Sequence, residues 1–308
     1  MFRIRTMRPE DANAVADLIY LSTNSWYQQN RGFSIFNGGP EVCLLFTDVY
    51  QDIDNGNNLV AEDNRTGNVI GSCFVHPRET HVSLGIMNVH PNHFGKGVAS
   101  VLLDRIISDA RARDLPVRLV SSAMNLDSYS LYTRKGFVPF ALFQDMVIDV
   151  PEEGIETPEP YAGIHVREGE LRDLIGMGQL EFEVAGISRE QDYCYFIEND
   201  LGIWNTVVVS DRPGEVDGFL VSVDHPGSCM IGPGVARTPE IAAAMLFEQL
   251  KKFKGKKPVF LIPTEQGDLV QSLYAAGAKN CELHVAQVHG AAQPICGVVM
   301  PSFMPETG

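Results

Sequence analysis

No two cysteines in this chain stand in the CxxC spacing of a metal knuckle or a redox motif. The six that occur, Cys43, Cys73, Cys194, Cys229, Cys281 and Cys296, are scattered, most of them inside apolar runs. A thiol in such surroundings behaves as a small hydrophobe. Free structural cysteines are therefore expected, with neither disulfides nor a metal site. Basic residues are scarce: 24 Lys and Arg against 39 Asp and Glu give a formal net charge of −15 at pH 7. That balance disfavours nucleic acid, whose phosphates demand a basic face. An acidic surface draws cationic small molecules, although its more general effect is to keep a protein dissolved. No stretch reaches the ~20 apolar residues that a membrane span needs. The opening MFRIRTMRPEDANAV has basic residues but no apolar segment after them, so it does not read as a secretory signal. A soluble cytoplasmic protein with no membrane partner is expected.

What is present suffices for two domains, because 308 residues at 44% hydrophobic content can bury two cores of ordinary size. A seam lies at DVPEEGIETPEPYAG, Asp149 to Gly163, where three prolines and four glutamates interrupt every apolar period. We place domains at 1–148 and 163–308 with an exposed extended linker at 149–162. Before the seam, apolar periodicity predicts a strand at 3–5, helices at 11–25 and 40–52, and strands at 58–62, 69–75 and 82–89. A helix at 96–113, a strand at 117–121, a helix at 126–135 and a strand from Phe137 follow. After the seam the order recurs: a strand at Ile164, helices near Glu168 and Arg189, and strands at Thr206, Gly218 and Met230. A helix at 239–253, a strand at 259–262, a helix at 268–276 and a strand from Glu282 complete it. The fold class is mixed α/β (α+β with a mixed sheet), one fold used twice.

Within the first half stands FGKGVAS, two glycines around Lys96 between an apolar segment and a periodic one. The following apolar residues Val98, Ala99, Leu102, Leu103, Ile106, Ile107 and Ala110 form a stripe of helical period. FGKG thus lies at a helix N-terminus, where unpaired N–H groups and the macrodipole favour an anion. Gly95 and Gly97 allow positive φ and remove the Cβ atoms that would hold a phosphate away. Two glycines in a strand-to-helix turn are by themselves weak evidence. A P-loop is excluded, since His90 stands where its first glycine belongs and Gly97 where its Ser or Thr belongs. A dinucleotide fingerprint is excluded too: Ser100 stands in place of its third glycine, and no initial βαβ unit leads into the loop.

A second stretch decides between the remaining readings. In NLDSYSLYTRKGF, the residues Asn125, Ser128, Leu131, Tyr132, Gly136 and Phe137 follow an N-x-x-(small)-x-x-L-Y-x-x-x-G-F spacing. With the two glycines upstream, residues 1 to about 148 resemble a GCN5-related N-acetyltransferase (GNAT) domain. The family's acyl-CoA loop is usually written Q/R-x-x-G-x-G/A, and Asn92 stands at its first position here. The resemblance implies acetyl-CoA as cosubstrate, with Met87, Asn88 and Val89 pairing through the backbone with the pantetheine arm. The N–H groups of Gly95, Lys96, Gly97, Val98 and Ala99 would hold the pyrophosphate, with Asn92, Phe94 and Ser100 also among the cofactor-binding residues. Asn125 and Ser128 would line the thiol end.

Tyr132 has a chemical rationale of its own. Attack of an amine on a thioester expels a thiolate whose acid has a pKa of ~8.5, and a tyrosine of pKa ~10 beside the sulfur can protonate it. The competing reading is a Leu–Tyr pair that packs a helix onto the sheet. For the amine's base the candidates are His76, Glu79 and His81 around the turn HPRETH, each of which also reads as an ordinary surface residue. The resemblance makes Trp26, Tyr27, Arg31 and Phe33, with Phe36, walls of an acceptor site, while core packing is the default for any one of them.

The second half resembles the degenerate GNAT-like domain of tandem acetyltransferases. MIGPGVARTPEIAAAML corresponds to the cradle, but Pro233 lacks an N–H and Thr238-Pro239-Glu240 reads as a cap, a first-turn proline and an acid matched to the dipole. VQSLYAAGAKN keeps Tyr274, expected only to pack. We expect no acyl-CoA there. Two function classes remain: an N-acetyltransferase acting on a small-molecule or peptide primary amine, and a non-catalytic acyl-CoA sensor acting through a partner. Tyr132 favours the enzyme. The second half is left as a wall of the acceptor site or an assembly surface, which leaves a homodimer open.

Overall fold

The structure, a computed structural model, describes residues 1–212 and 214–302. In chain order the first elements are β1 (Phe2–Thr6), α1 (Ala12–Arg31), α2 (Leu44–Asp54), β2 (Leu59–Asp63), β3 (Val69–Pro77) and β4 (Val82–Val89). Next come α3 (Val98–Arg111), β5 (Val117–Ser122), α4 (Leu126–Arg134) and β6 (Val138–Val147). Then follow β7 (Val166–Glu168), α5 (Leu174–Ala185), α6 (Glu190–Glu198), β8 (Trp204–Val209), β9 (Gly218–His225) and β10 (Ser228–Ala236). The last are α7 (Pro239–Leu250), β11 (Val259–Pro263), α8 (Gly267–Ala275), β12 (Lys279–His289) and β13 (Val298–Met300). The expected order is found throughout, with β13 as an unforeseen addition. The chain forms two compact units, Met1–Leu119 and Val120–Ser302.

In the first unit β1 to β4 pair antiparallel in sequence order, and the start of β5 runs parallel to β4. Between β3 and β4 the register steps from Cys73↔Met87 to Val75↔Leu84, so Phe74 opposes both Gly85 and Ile86. That two-against-one count is a β-bulge, a device that bends a strand and re-aims its side chains. The helices take opposite faces. A Cβ on Gly71 would come within 2.7 Å of Val98 on α3. Asn88, which alternation turns the other way from Val89, donates to Ser22 Oγ on α1 at 2.7 Å. The stripe expected for α3 is the buried one, with Val98, Leu102, Leu103, Ile106, Ile107 and Ala110 all covered.

In the second unit the strands run outward from the end of β5 in the order β12, β6, β11, β10, β9, β8, β7, with β13 beside β10. β6, the last strand of the first sequence half, is therefore paired on both sides by strands of the second: β12 from Val147↔Lys279 to Val138↔Val288, and β11 from Val147↔Val259 to Phe143↔Pro263. This exchange is why the compact units and the sequence halves divide the chain at different places. The segment expected as an exposed linker is only partly so. Pro151 to Glu153 face solvent, whereas Val150 is buried and Tyr161 stacks on Phe247 of α7 at 6.0 Å and shares a 2.6 Å hydrogen bond with Ser272. All six cysteines are free, and no cluster of metal-ligating side chains occurs among the described residues. Burial pushes the Cys43 thiol up to about 12 and that of Cys229 to about 11, which keeps both unreactive.

The repeat is visible in one ion pair. Arg5 forks onto Asp11 at 2.6 and 2.8 Å, and Arg167 onto Asp173 at 2.7 and 2.7 Å, the same six-residue spacing after the first strand of each half. Each carboxylate also accepts the N–H three residues before it, from Arg8 and Glu170. Arg5 holds the Asp11 carboxyl below its usual range against the opposing effect of burial. At Asp173 burial pulls upward, but Arg167 and the Glu170 N–H together prevail. Asp11→Asn and Asp173→Asn are each expected to cost ~1–2 kcal/mol at pH 7. A depressed folded pKa stabilises above the unfolded value of ~3.9, and that contribution disappears as pH falls through the folded value. Urea midpoints of wild type and variants should therefore differ at neutral pH and converge in acid.

Candidate active site

Gly97 is the N-cap of α3 and sits at φ +82°; Gly95 sits at φ +72°. Both need the left-handed region that glycine enters without penalty. A Cβ at either would meet nothing within 4 Å, so the loop's outer side is open. The first intrahelical bond runs from the Val101 N–H to the Gly97 carbonyl at 3.1 Å, and no side chain caps the helix. The N–H groups of Gly97, Val98, Ala99 and Ser100 thus precede the ladder and point at an open surface. The Lys96 N–H instead closes on the His93 carbonyl at 3.3 Å. Phe94 is exposed beside the loop, and Asn92 donates its N–H to His90 Nδ1 at 3.1 Å. Burial and the Lys96 charge push His93 below its usual range, so it is neutral near pH 7. The donor set, the helix dipole and the missing Cβ atoms fit the pyrophosphate of a coenzyme A thioester.

β4 leads into this loop. Met87 and Val89 are part-exposed just past the bulge, and Asn88 turns inward to α1. At the far end of α1 the helix runs six residues beyond the expected boundary, ending at Gly32 with φ +76°. Trp26, Tyr27 and Arg31 are consequently helical. Trp26 meets Tyr27 edge-on at 4.9 Å, Tyr27 and Phe33 lie 5.7 Å apart, and the Arg31 guanidinium sits 5.9 Å from the Phe33 ring centre. Phe33 is 47% exposed, so this cluster is accessible and not core. Phe36 is core, stacked on Tyr20 and edge-on to Phe46.

Two of the base candidates are not surface residues. His81 is fully buried, with Nδ1 2.9 Å from Thr80 Oγ1 and Nε2 3.1 Å from Ser83 Oγ, because the turn folds it back between the strand ends. His76 is buried on β3, with Nδ1 2.6 Å from Asp54 Oδ2, and Arg78 grips the same carboxylate at 2.7 and 2.9 Å. Burial pushes Asp54 upward, but the bonds to His76 and Arg78 outweigh it and keep the carboxyl below its usual range. An ionised Asp54 accepts the hydrogen bond from Nδ1, and this network does not reach Nε2. Nε2 has no hydrogen-bond partner among the described residues and lies 2.8 Å from where a Cβ on Gly85 would stand, behind the bulge. Glu79 is exposed as expected. Asp54 and Arg78 escaped the sequence reading; Arg78 directly follows the apolar strand β3, whereas no local pattern marks Asp54 at the end of α2.

In the second unit Asn125 caps α4, its Oδ1 accepting the Ser128 N–H at 3.1 Å. Its carbonyl oxygen is thereby committed to the helix. Tyr132 is 6% exposed, and its ring centre lies 5.8 Å from Phe137, which in turn lies 5.6 Å from His289. The counterpart regions of the second half differ. Gly232, Pro233 and Gly234 lie inside β10, not in a loop, and a Cβ on Gly234 would come 2.4 Å from Leu220 Cδ1. Only Arg237 and Thr238 separate β10 from α7, and Thr238 Oγ1 accepts the Ile241 N–H at 3.4 Å. Tyr274 does not pack: Leu269, Val270 and Leu273 form the buried stripe of α8, and the next position falls outside, 42% exposed.

Two family models match the chain, at residues 54–139 and 177–295, and both describe an acetyltransferase (GNAT) domain. The chain belongs to the GCN5-related N-acetyltransferase family. It is a tandem GNAT protein, and solved structures carry the same fold along its length. A Pyrococcus horikoshii protein assigned as an acetyltransferase superposes with a TM-score of 0.74 at 16% identity, over 96% of this chain and 92% of that one. A GCN5-related N-acetyltransferase from Sphaerobacter thermophilus gives 0.62 at 19%, over 96% and 97%. A tandem GNAT protein from the clavulanic acid biosynthesis pathway gives 0.61 at 13%, over 95% and 100%. No curated protein matches the chain. GNAT domains on a GNAT fold support N-acyltransferase activity in general. No helix among the described residues is long and apolar enough to cross a membrane.

Proposed function

We propose that this GNAT protein moves the acetyl group of acetyl-CoA to a primary amine by direct attack in a ternary complex, with the chemistry carried by residues of the first half. The observation behind this reading is the uncapped start of α3 at a left-handed, open Gly97, set against the capped start of α7. The backbone N–H groups of Gly97 to Ser100 hold the pyrophosphate, and the strand edge at Met87 to Val89 carries the pantetheine. Acetyl-CoA supplies an acyl group already activated as a thioester. The amine nitrogen forms the new C–N bond as the C–S bond breaks. Tyr132 gives its proton to the departing sulfur, and the proton lost by the amine restores the phenol, so the products are an acetamide and a free thiol. The part-exposed cluster of Trp26, Tyr27, Arg31 and Phe33 receives the acceptor.

The competing reading, an acyl-CoA sensor, needs the cradle but not Tyr132. Thiol release from acetyl-CoA over a panel of primary amines separates the two, since a sensor releases none. We further expect one acetyl-CoA per chain by calorimetric titration, because in the second half glycine lies within a strand and Thr238 fills the helix end. A stoichiometry of two would make the second half another catalytic unit.

A further inference from the structure

β12 belongs to the second half of the sequence, yet within the unit Val120–Ser302 it touches the segment that carries Tyr132 at both ends. At the entrance, the Ala123 N–H donates to the Leu283 carbonyl at 2.8 Å, docking the end of β5 on β12. The Ser122 hydroxyl donates to Glu282 in a short hydrogen bond. Ser122 Oγ in turn accepts the Met124 N–H at 3.2 Å, and the Ser122 carbonyl accepts the Asn125 N–H at 3.3 Å. Asn125 then caps α4. At the exit, Phe137 lies between Tyr132 and His289, and the position of a Cβ on Gly136 is 3.4 Å from the His289 ring. Glu282 is 8% exposed, and only a donor that stays in place makes such burial of a carboxylate tolerable. Ser122 is one such donor.

We infer that β12 is a working part of the first half's catalytic segment, and that Glu282 is a positioning residue which, through Ser122, fixes the turn and helix bearing Tyr132. The inference rests on the reading of Tyr132 as the acid. It gives the second half a task that requires no acyl-CoA of its own: it supplies the strand on which the acid-bearing helix is registered. A serine that donates to a fixed carboxylate has its hydroxyl rotor set, so its lone pair stays aimed at the Met124 N–H and the turn keeps one shape. Small errors in the placement of a reacting group are costly, up to ~10²-fold for a displacement of ~1 Å.

Glu282→Ala and Glu282→Gln test this by two readouts. Amide hydrogen exchange, which needs no substrate, should show residues 123–134 exchanging ~10-fold faster in Glu282→Ala, while α7 in the same unit keeps its protection. Turnover in the thiol-release assay should fall ~10-fold or more, with the affinity for acetyl-CoA and the KM for the amine nearly unchanged. Glu282→Gln keeps an acceptor for Ser122 and should restore both readouts to within about threefold of wild type. Should Glu282→Ala not fold, Ser122→Ala breaks the same link from the other side. Unchanged exchange over 123–134 in Glu282→Ala, or in Ser122→Ala in its place, would overturn the inference, and so would a Gln variant as impaired as the Ala one, since charge and not acceptance would then matter. If exchange rises as expected but turnover does not move, the positioning stands and the assignment of Tyr132 as acid falls.

Discussion

Gly97→Glu is expected to abolish binding of acetyl-CoA while leaving the fold intact. Any side chain at φ +82° costs ~1–2 kcal/mol, which a domain of this size tolerates. The new Cβ meets nothing within 4 Å, so no neighbour has to move. The carboxylate, in contrast, stands at the N-terminus of α3, where the dipole and the unbonded N–H groups attract an anion. It becomes a tethered competitor for the pyrophosphate and repels that group in addition. A loss of ~10²-fold or more in affinity is expected by isothermal titration, with the circular dichroism spectrum unchanged. Gly97→Ala carries the strain without the charge and should retain most of the affinity. Wild-type binding by the Glu variant would remove the cradle from the molecule.

The left-handed, uncapped start of α3 could be found in the sequence because everything that makes it is local. A glycine pair, a helical stripe starting one residue later and the absence of a capping side chain lie within fifteen residues. The same holds for the Thr238-Pro239-Glu240 cap, which the Thr238 hydroxyl forms as expected. Where the reading failed, the deciding contact was distant in sequence. Nothing near His76 announces Asp54, twenty-two residues away, and an isolated histidine beside a turn reads as exposed until its partner is known. The length of α1 was misjudged because Trp26 to Arg31 offers no second apolar turn; that stretch is held by its own rings and by the left-handed Gly32. The strand expected at Met230 runs on through Gly232, Pro233 and Gly234 to Ala236, and the close approach of Leu220 favours glycine at Gly234.

The exchange of β6 and β12 was the least legible feature. Nothing in either strand names its neighbour, because a strand's own pattern sets which face is buried and not which strand lies beside it. The consequence reaches function. Glu282 stands 150 residues from Tyr132 in the chain, so no motif scan of NLDSYSLYTRKGF could include it. The sequence leaves the second half as a wall of the acceptor site or an assembly surface. The geometry of β12 makes it a supplier of structure to the first half.

Replacing Tyr132 by phenylalanine is expected to lower turnover by ~10²-fold with little change in affinity for either substrate. The ring is buried against Phe137 at 5.8 Å, and phenylalanine preserves that contact, so α4 stays in place. What disappears is one hydroxyl. In the ground state the thioester sulfur is a poor hydrogen-bond acceptor, whereas in the transition state it gathers the charge of a leaving thiolate. The phenol therefore stabilises the transition state more than the bound substrate, and its loss falls on kcat and not on KM. Steady-state rates with an accepted amine, joined to single-turnover measurements that establish chemistry as limiting, read this directly. A phenylalanine variant with wild-type turnover under those conditions would mean that the sulfur takes its proton from water or another side chain. A loss shared equally between kcat and acetyl-CoA affinity would mean that Tyr132 holds the cosubstrate instead of protonating its leaving group.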